Sequence, residues 1–64
     1  MKEKNLQLHK EYIHYKNLKT YIPINFCKIQ ENDTWVEAIL YKADDESLYV
    51  RSKVEFIKKF SLKN

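Results

Sequence analysis

Apolar and polar positions alternate with a period of two along most of this chain, interrupted by short polar clusters, a pattern that predicts a succession of short strands. Tyr12-Ile13-His14-Tyr15 is a β-prone run closed by the turn-like Lys16-Asn17-Leu18-Lys19. Thr20 to Gln30 is the longest strand, with Ile22, Ile24 and Phe26 expected on one face and Tyr21, Asn25 and Cys27 on the other. Pro23 has no backbone donor, which places it at a sheet edge or a bulge. Glu31-Asn32-Asp33-Thr34 reads as a hairpin turn in which Asn-Asp takes the positive-φ positions. From Trp35 to Lys42, Val36, Ala38 and Leu40 alternate against Trp35, Glu37, Ile39 and Tyr41. Both faces are apolar towards its end, as in a strand covered on both sides.

Ala43-Asp44-Asp45-Glu46-Ser47 reads as an acidic loop, and Leu48 to Arg51 as a short strand with Leu48 and Val50 inward and Tyr49 and Arg51 outward. From Ser52 the period lengthens. Val54, Phe56, Ile57 and Phe60 recur at helical spacings behind Ser52 as N-cap, predicting one or two helical turns. Residues 1–9 are mostly polar and read as a loosely ordered lead-in.

Four or five short strands and a helical turn indicate one mostly-β domain over residues 1–64. The expected fold is a small SH3-like barrel, or a bent antiparallel meander, with a short C-terminal helical turn. A core this thin with nothing to brace it commonly gains a second subunit, so a homodimer is expected.

Composition narrows the chemistry. The chain has no glycine, which excludes Gly-rich phosphate loops and nucleophile elbows. One cysteine, Cys27, forbids a disulfide within the chain, and with two histidines it cannot build a four-ligand zinc site. No cofactor is expected, and no nucleophile with an oxyanion cradle is visible, so the protein reads as a non-enzyme. The longest apolar run, Ala38-Ile39-Leu40-Tyr41, is far short of the ~20 residues of a membrane span. No apolar stretch follows Met1-Lys2-Glu3-Lys4-Asn5, so no signal peptide is expected and the location reads as cytoplasmic.

A net charge of +3 suits an anionic partner without choosing one. Five Tyr, three Phe and one Trp exceed what so small a core easily buries, so some rings are expected as surface contacts. Abundant Lys, Asn, Ile and Tyr suit an AT-rich coding sequence, as in a low-GC bacterium or its phage.

Arg51 is the leading candidate for binding, because its planar fork matches phosphate and Tyr49 lies beside it. Tyr41 and Lys42 on the neighbouring strand would add a ring and a cation, and rings with cations suit a base joined to a pyrophosphate. The plain alternative pairs Arg51 with Glu37 or Glu55 across strands. Trp35, after the hairpin, suits a dimer contact or a stacking platform. The acidic loop reads as a solvated turn, and Lys58, Lys59 and Lys63 as a solvated helix face.

His14-Tyr15-Lys16, then Tyr21, Ile39-Leu40-Tyr41-Lys42 and Leu48-Tyr49-Val50-Arg51 with Phe56 beyond, resemble a small bacterial and phage family catalogued as a domain of unknown function. Its pattern runs His-Tyr-Lys-Gly, an early Tyr, Val-Val-Tyr-Arg, Leu-Trp-Val-Arg-Pro and a following Phe. The resemblance covers roughly residues 12–60 and adds His14, Tyr15 and Lys16 to the candidate ligand contacts. Asn17 stands at one family Gly and Asn25 near another, Lys42 replaces Arg, Tyr49 replaces Trp and Ser52 replaces Pro. Asn is the next residue able to take positive φ.

More loosely, in short length, expected dimerisation and its Tyr/Arg/Lys set, the chain is similar to phage anti-defence sponge proteins. Those sequester nucleotide-derived immune signals, including cyclic ADP-ribose variants and histidine–ADP-ribose. The resemblance implies a non-enzymatic binder of an ADP-ribose conjugate, acting in the host cytoplasm if phage-encoded. A module inhibiting a host protein directly is the alternative, and nucleic-acid binding through the basic C-terminal segment is the weakest reading.

Overall fold

In the computed structural model, which describes residues 6–63, the alternating segments form β1 (Tyr12–His14), β2 (Thr20–Glu31), β3 (Thr34–Ala43), β4 (Leu48–Ser52) and β5 (Phe60–Leu62), with α1 (Lys53–Lys59) before the last strand. The fold is mostly β, as the alternation requires. All pairings are antiparallel, in the order β4-β3-β2-β1-β5. The edges β4 and β5 do not pair, so the sheet is an open meander rather than a closed barrel.

The meander is strongly bent. On a flat sheet β3 and β5 would lie about 14 Å apart, three strand spacings. Instead the ring of Tyr41 on β3 is 5.3 Å from that of Phe60 on β5. The sheet curls around its own side chains, and α1 spans from one edge strand to the other. Ser52 caps that helix, its Oγ accepting from the Glu55 amide at 3.3 Å. Seven residues are too few for a helix stable by itself. It is held by Phe56, fully buried and stacked on Phe60 at 4.1 Å and 4°. Phe60 reaches that position from a strand, since the helix stops at Lys59. Val54 and Ile57, at helical spacing from these rings, remain exposed.

Two inward/outward assignments reverse. The pairing slips between Pro23 and Asn25, so Ile24 is an extra residue and the strand changes phase there. Phe26 consequently shares a face with Tyr21 and Pro23 rather than with Ile22. Pro23 thus stands at the bulge, as its missing donor anticipates. On β4, Arg51 lies opposite Ile39 and Tyr49 opposite Tyr41. Cross-strand partners share a face. Ile39 and Tyr41 are core residues beneath Phe56 and Phe60, so Arg51 and Tyr49 point inward and Leu48 and Val50 outward.

The inner face is therefore aromatic: Tyr12, Tyr41, Phe56 and Phe60 with Ile39 form the buried cluster, and Tyr21 and Leu6 pack against it. The outer face carries the aliphatic set, Ile22, Ile29, Val36, Leu40, Leu48 and Val50, none of which belongs to the buried aromatic cluster. On that face Leu48 is 59% and Val50 48% exposed.

Residues 1–5 of the expected lead-in lie outside the described residues, and 6–9 are docked. The Gln7 amide donates to the Tyr12 hydroxyl at 3.0 Å and the His9 amide to the Pro23 carbonyl at 2.8 Å. The hairpin turn takes positive φ at Asn32 and Asp33, 51° and 64°. Asn17 and Asn25 do not. Leu18 takes the left-handed position of the first turn, φ 59°, while the Asn17 side chain accepts from the Lys19 amide at 2.9 Å. Asn25 lies within β2 and accepts from the Phe26 amide at 2.8 Å.

Candidate functional site

The curl brings one turn and all five strands around a single concavity of about 200 Å³. β4 contributes Tyr49 and Arg51, β3 Tyr41, β2 Tyr21, β1 His14 and β5 Phe60, and Asn17 closes the rim from the first turn. Among the described residues no carboxylate lines it.

Arg51 forms the charged centre. It is half-buried, its Nε donates to the Tyr41 hydroxyl at 3.2 Å, and its guanidinium carbon lies 5.6 Å from the centre of the Phe60 ring. A guanidinium over a ring face is attracted by the ring quadrupole. Neither Glu37 nor Glu55 forms an ion pair with Arg51 among the described residues. The cross-strand salt bridge is thus replaced by a phenol and a π face, which leave the cation without a neutralising partner.

Tyr49 stacks on Tyr41 at 5.7 Å and 29°, and remains 46% exposed, so its free face borders the concavity. The opposite wall is His14, edge-on to Phe60 at 4.8 Å. Tyr15 stacks behind it at 5.3 Å, and the Lys59 ammonium lies 5.7 Å from the centre of the Tyr15 ring. Lys16 acts through its backbone: its amide donates to His14 Nδ1 at 3.1 Å. That bond makes Nδ1 an acceptor and places the neutral ring's proton on Nε2. Desolvation lowers the His14 pKa below its ordinary 6.5, and the positive charges of Arg51, Lys59 and Lys16 lower it further. The wall stays uncharged near neutral pH while the surrounding field is positive.

Tyr21 and Asn17 complete the rim, the Asn17 amide donating to the Tyr21 hydroxyl at 3.1 Å. Tyr21 is edge-on to both Tyr41 and Phe60, at 5.7 and 5.3 Å. The arrangement offers rings for a planar group and a fork of N–H donors for an anion.

Of the residues singled out from sequence, the fold brings together Arg51, Tyr49, Tyr41 and His14, with Tyr15 and Lys16 supporting His14. It separates Lys42 and Trp35 from them. Lys42 alternates with Tyr41 onto the outer face, where it pairs with Glu46 at 3.5 Å. Trp35 stands opposite Gln30 near the hairpin tip, 63% exposed. Asn17, Tyr21 and Phe60 were missed as site residues. A signal for one of them, Tyr21, exists: Tyr12/His14, Tyr21/Pro23, Ile39/Tyr41 and Tyr49/Arg51 are i, i+2 pairs on successive strands, marking an aromatic rather than an aliphatic inner face.

Among the described residues no group of three or more potential metal ligands occurs, and no helix is long and apolar enough to cross a membrane. No known family matches the chain, nor does any curated protein or solved structure.

Proposed function

We propose that this protein is a non-enzymatic binder that sequesters a nucleotide-derived anion, an ADP-ribose conjugate such as histidine–ADP-ribose. The observation that carries the reading is Arg51, a half-buried guanidinium without a carboxylate partner among the described residues, set between Tyr49 and His14 in an aromatic concavity. Stacking of a base on a tyrosine contributes about 1–3 kcal/mol. The unused N–H groups of the Arg51 fork are suited to phosphate oxygens.

Size sets how much of the ligand is enclosed. Sites that engulf drug-sized molecules occupy about 300–1,000 Å³, so a concavity of about 200 Å³ takes one end of such a conjugate, a ring with its adjoining phosphate. The remainder lies along the rim beside Tyr15 and Lys59. The aliphatic outer face, with Leu48 and Val50 exposed at its β4 edge, supports a homodimer on the side of the sheet opposite the site.

Native mass spectrometry of the untreated protein tests the reading directly. The expected result is a dimer carrying a small molecule of nucleotide character, lost in Arg51→Ala. Protein that stays ligand-free after incubation with ADP-ribose at millimolar concentration contradicts it. Recovery of a stoichiometric host protein with no small molecule would favour the inhibitory-module reading instead.

A further inference from the structure

β3 outruns its neighbour. Its pairing with β4 ends at Ala38 opposite Ser52, after which the chain leaves the sheet as α1. Thr34, Trp35, Val36 and Glu37 are still paired with β2 on one side, but on the other they have no strand beside them. In an antiparallel ladder, alternate residues turn both backbone groups to such a side. No backbone hydrogen bond from another described segment reaches this stretch from the β4 side. Strand edges of this kind are usually blunted by lysine, proline, a bulge or an inward-pointing charge, and of these the four residues carry only the last, Glu37.

The vacated edge opens into a groove of about 520 Å³ between the hairpin and the start of α1. Val36 and Ser52 line it together with Val54, which is 65% exposed, and Trp35 stands exposed beside it. Three glutamates border the groove, Glu31, Glu37 and Glu55, against one lysine, Lys53. Lys53 is drawn away, its ammonium lying 5.8 Å from the centre of the Phe26 ring. Among the described residues Glu31 and Glu37 form no ion pair, whereas Glu55 meets Lys59 at 3.8 Å.

From this we infer a second binding surface, independent of the Arg51 concavity: the Thr34–Glu37 edge accepts an extended segment of a partner protein as an added strand. The backbone ladder supplies the attachment. Alternation supplies the selection, since an added strand turns successive side chains to opposite faces. Its apolar residues meet Val36 on the outer face, where Val54 lines the same groove, and its basic residues meet Glu37 and the Trp35 ring on the opposite face. The partner is therefore an extended segment of alternating aliphatic and Lys/Arg residues, about four or five long, as the length of free edge sets at ~3.4 Å per residue.

The test is a 1H–15N titration of the full chain with the capped peptide acetyl-Lys-Val-Lys-Val-Lys-amide. Expected are saturable shifts at the Trp35 indole and at the Val36, Glu37 and Val54 amides. Affinity should fall at least tenfold for a peptide N-methylated at alternate residues, and at least fivefold for the Glu37→Gln variant, which leaves the backbone edge intact. Absence of shifts, equal binding of a Glu-Val-Glu-Val-Glu peptide, or shifts confined to β4 or β5 overturns the proposal. So does a concentration-dependent shift of the Trp35 indole and the Glu37 amide without peptide, which would make a second copy of this chain the occupant of the edge.

Discussion

The guanidinium of Arg51 on β4 lies over the ring of Phe60 on β5, 5.6 Å from its centre, although these are the two outermost strands of a five-stranded sheet. On a flat sheet they would stand about 19 Å apart, four strand spacings. The contact joins side chains across a seam whose backbones do not pair, so it links the closure of the fold to the shape of the site.

Phe60 is the keystone of that closure, packed against Phe56, Tyr41, Tyr21 and His14 at once. Phe60→Ala should cost about 3–5 kcal/mol. A 64-residue domain has roughly 3–10 kcal/mol in total at the usual stability per residue. The variant should therefore lose about half of that stability or more, seen as a large fall in its urea midpoint, whereas Phe60→Leu keeps most of it. A urea midpoint for Phe60→Ala close to that of the parent protein would refute the closure argument.

The N-cap offers a smaller, cleaner measurement. Ser52→Ala removes the acceptor for the Glu55 amide and should cost about 1 kcal/mol. Ser52→Asp should retain most of that stability, because a carboxylate also accepts from the first-turn amides. Urea denaturation of the three proteins distinguishes these outcomes.

His14 makes stability pH-dependent. Its folded pKa lies below 6.5, through desolvation first and then the charges of Arg51, Lys59 and Lys16. As pH falls, the unfolded chain binds the proton before the folded protein does, which favours unfolding. The contribution is complete above pH 6.5 and is lost as pH falls below that value. Urea midpoints between pH 8 and 5.5 should decline on the acid side, and His14→Gln should flatten the decline. A profile unaltered by that substitution would locate the effect elsewhere.

The sequence reading located the strands well because β2, β3 and β4 alternate and are punctuated by polar turns. It misjudged their faces because the usual sign, aliphatic residues inward, fails here. Leu48 and Val50 are more aliphatic than Tyr49 and Arg51, yet the aromatic set forms the core. The bulge at Ile24 compounded this, since one inserted residue reverses every later position of a strand. Pro23 announced a bulge, but nothing in the sequence sets which residue is extra. β5 was hidden inside a helical period, because Phe60 keeps an i+4 spacing from Phe56 while belonging to a strand. Despite these reversals, Arg51, Tyr49, Tyr41 and His14 converge from three strands on one concavity. Lys42 and Trp35 did not join them, because adjacency along a strand means opposite faces and the hairpin tip lies away from the seam.

The outer face gives a prediction for assembly. Leu48→Glu combined with Val50→Glu places charge on the most exposed part of the aliphatic surface without touching the aromatic core. Sedimentation equilibrium should show a dimer for the parent chain and a folded monomer for the double variant. A parent chain that is monomeric at hundreds of micromolar contradicts the proposed assembly.

The central claim is that Arg51 holds the phosphate end of a nucleotide-derived ligand beside Tyr49. Isothermal titration of the full chain with ADP-ribose tests it most directly, with folding of each variant checked by circular dichroism. Saturable binding of one ligand per chain is predicted, weakened at least tenfold in Arg51→Ala and in Tyr49→Ala, and unchanged in Lys42→Ala on the outer face. Arg51→Lys should fall between, retaining the charge and losing the fork. No saturable binding by the parent protein, or Arg51→Ala binding as tightly as the parent, would contradict the account.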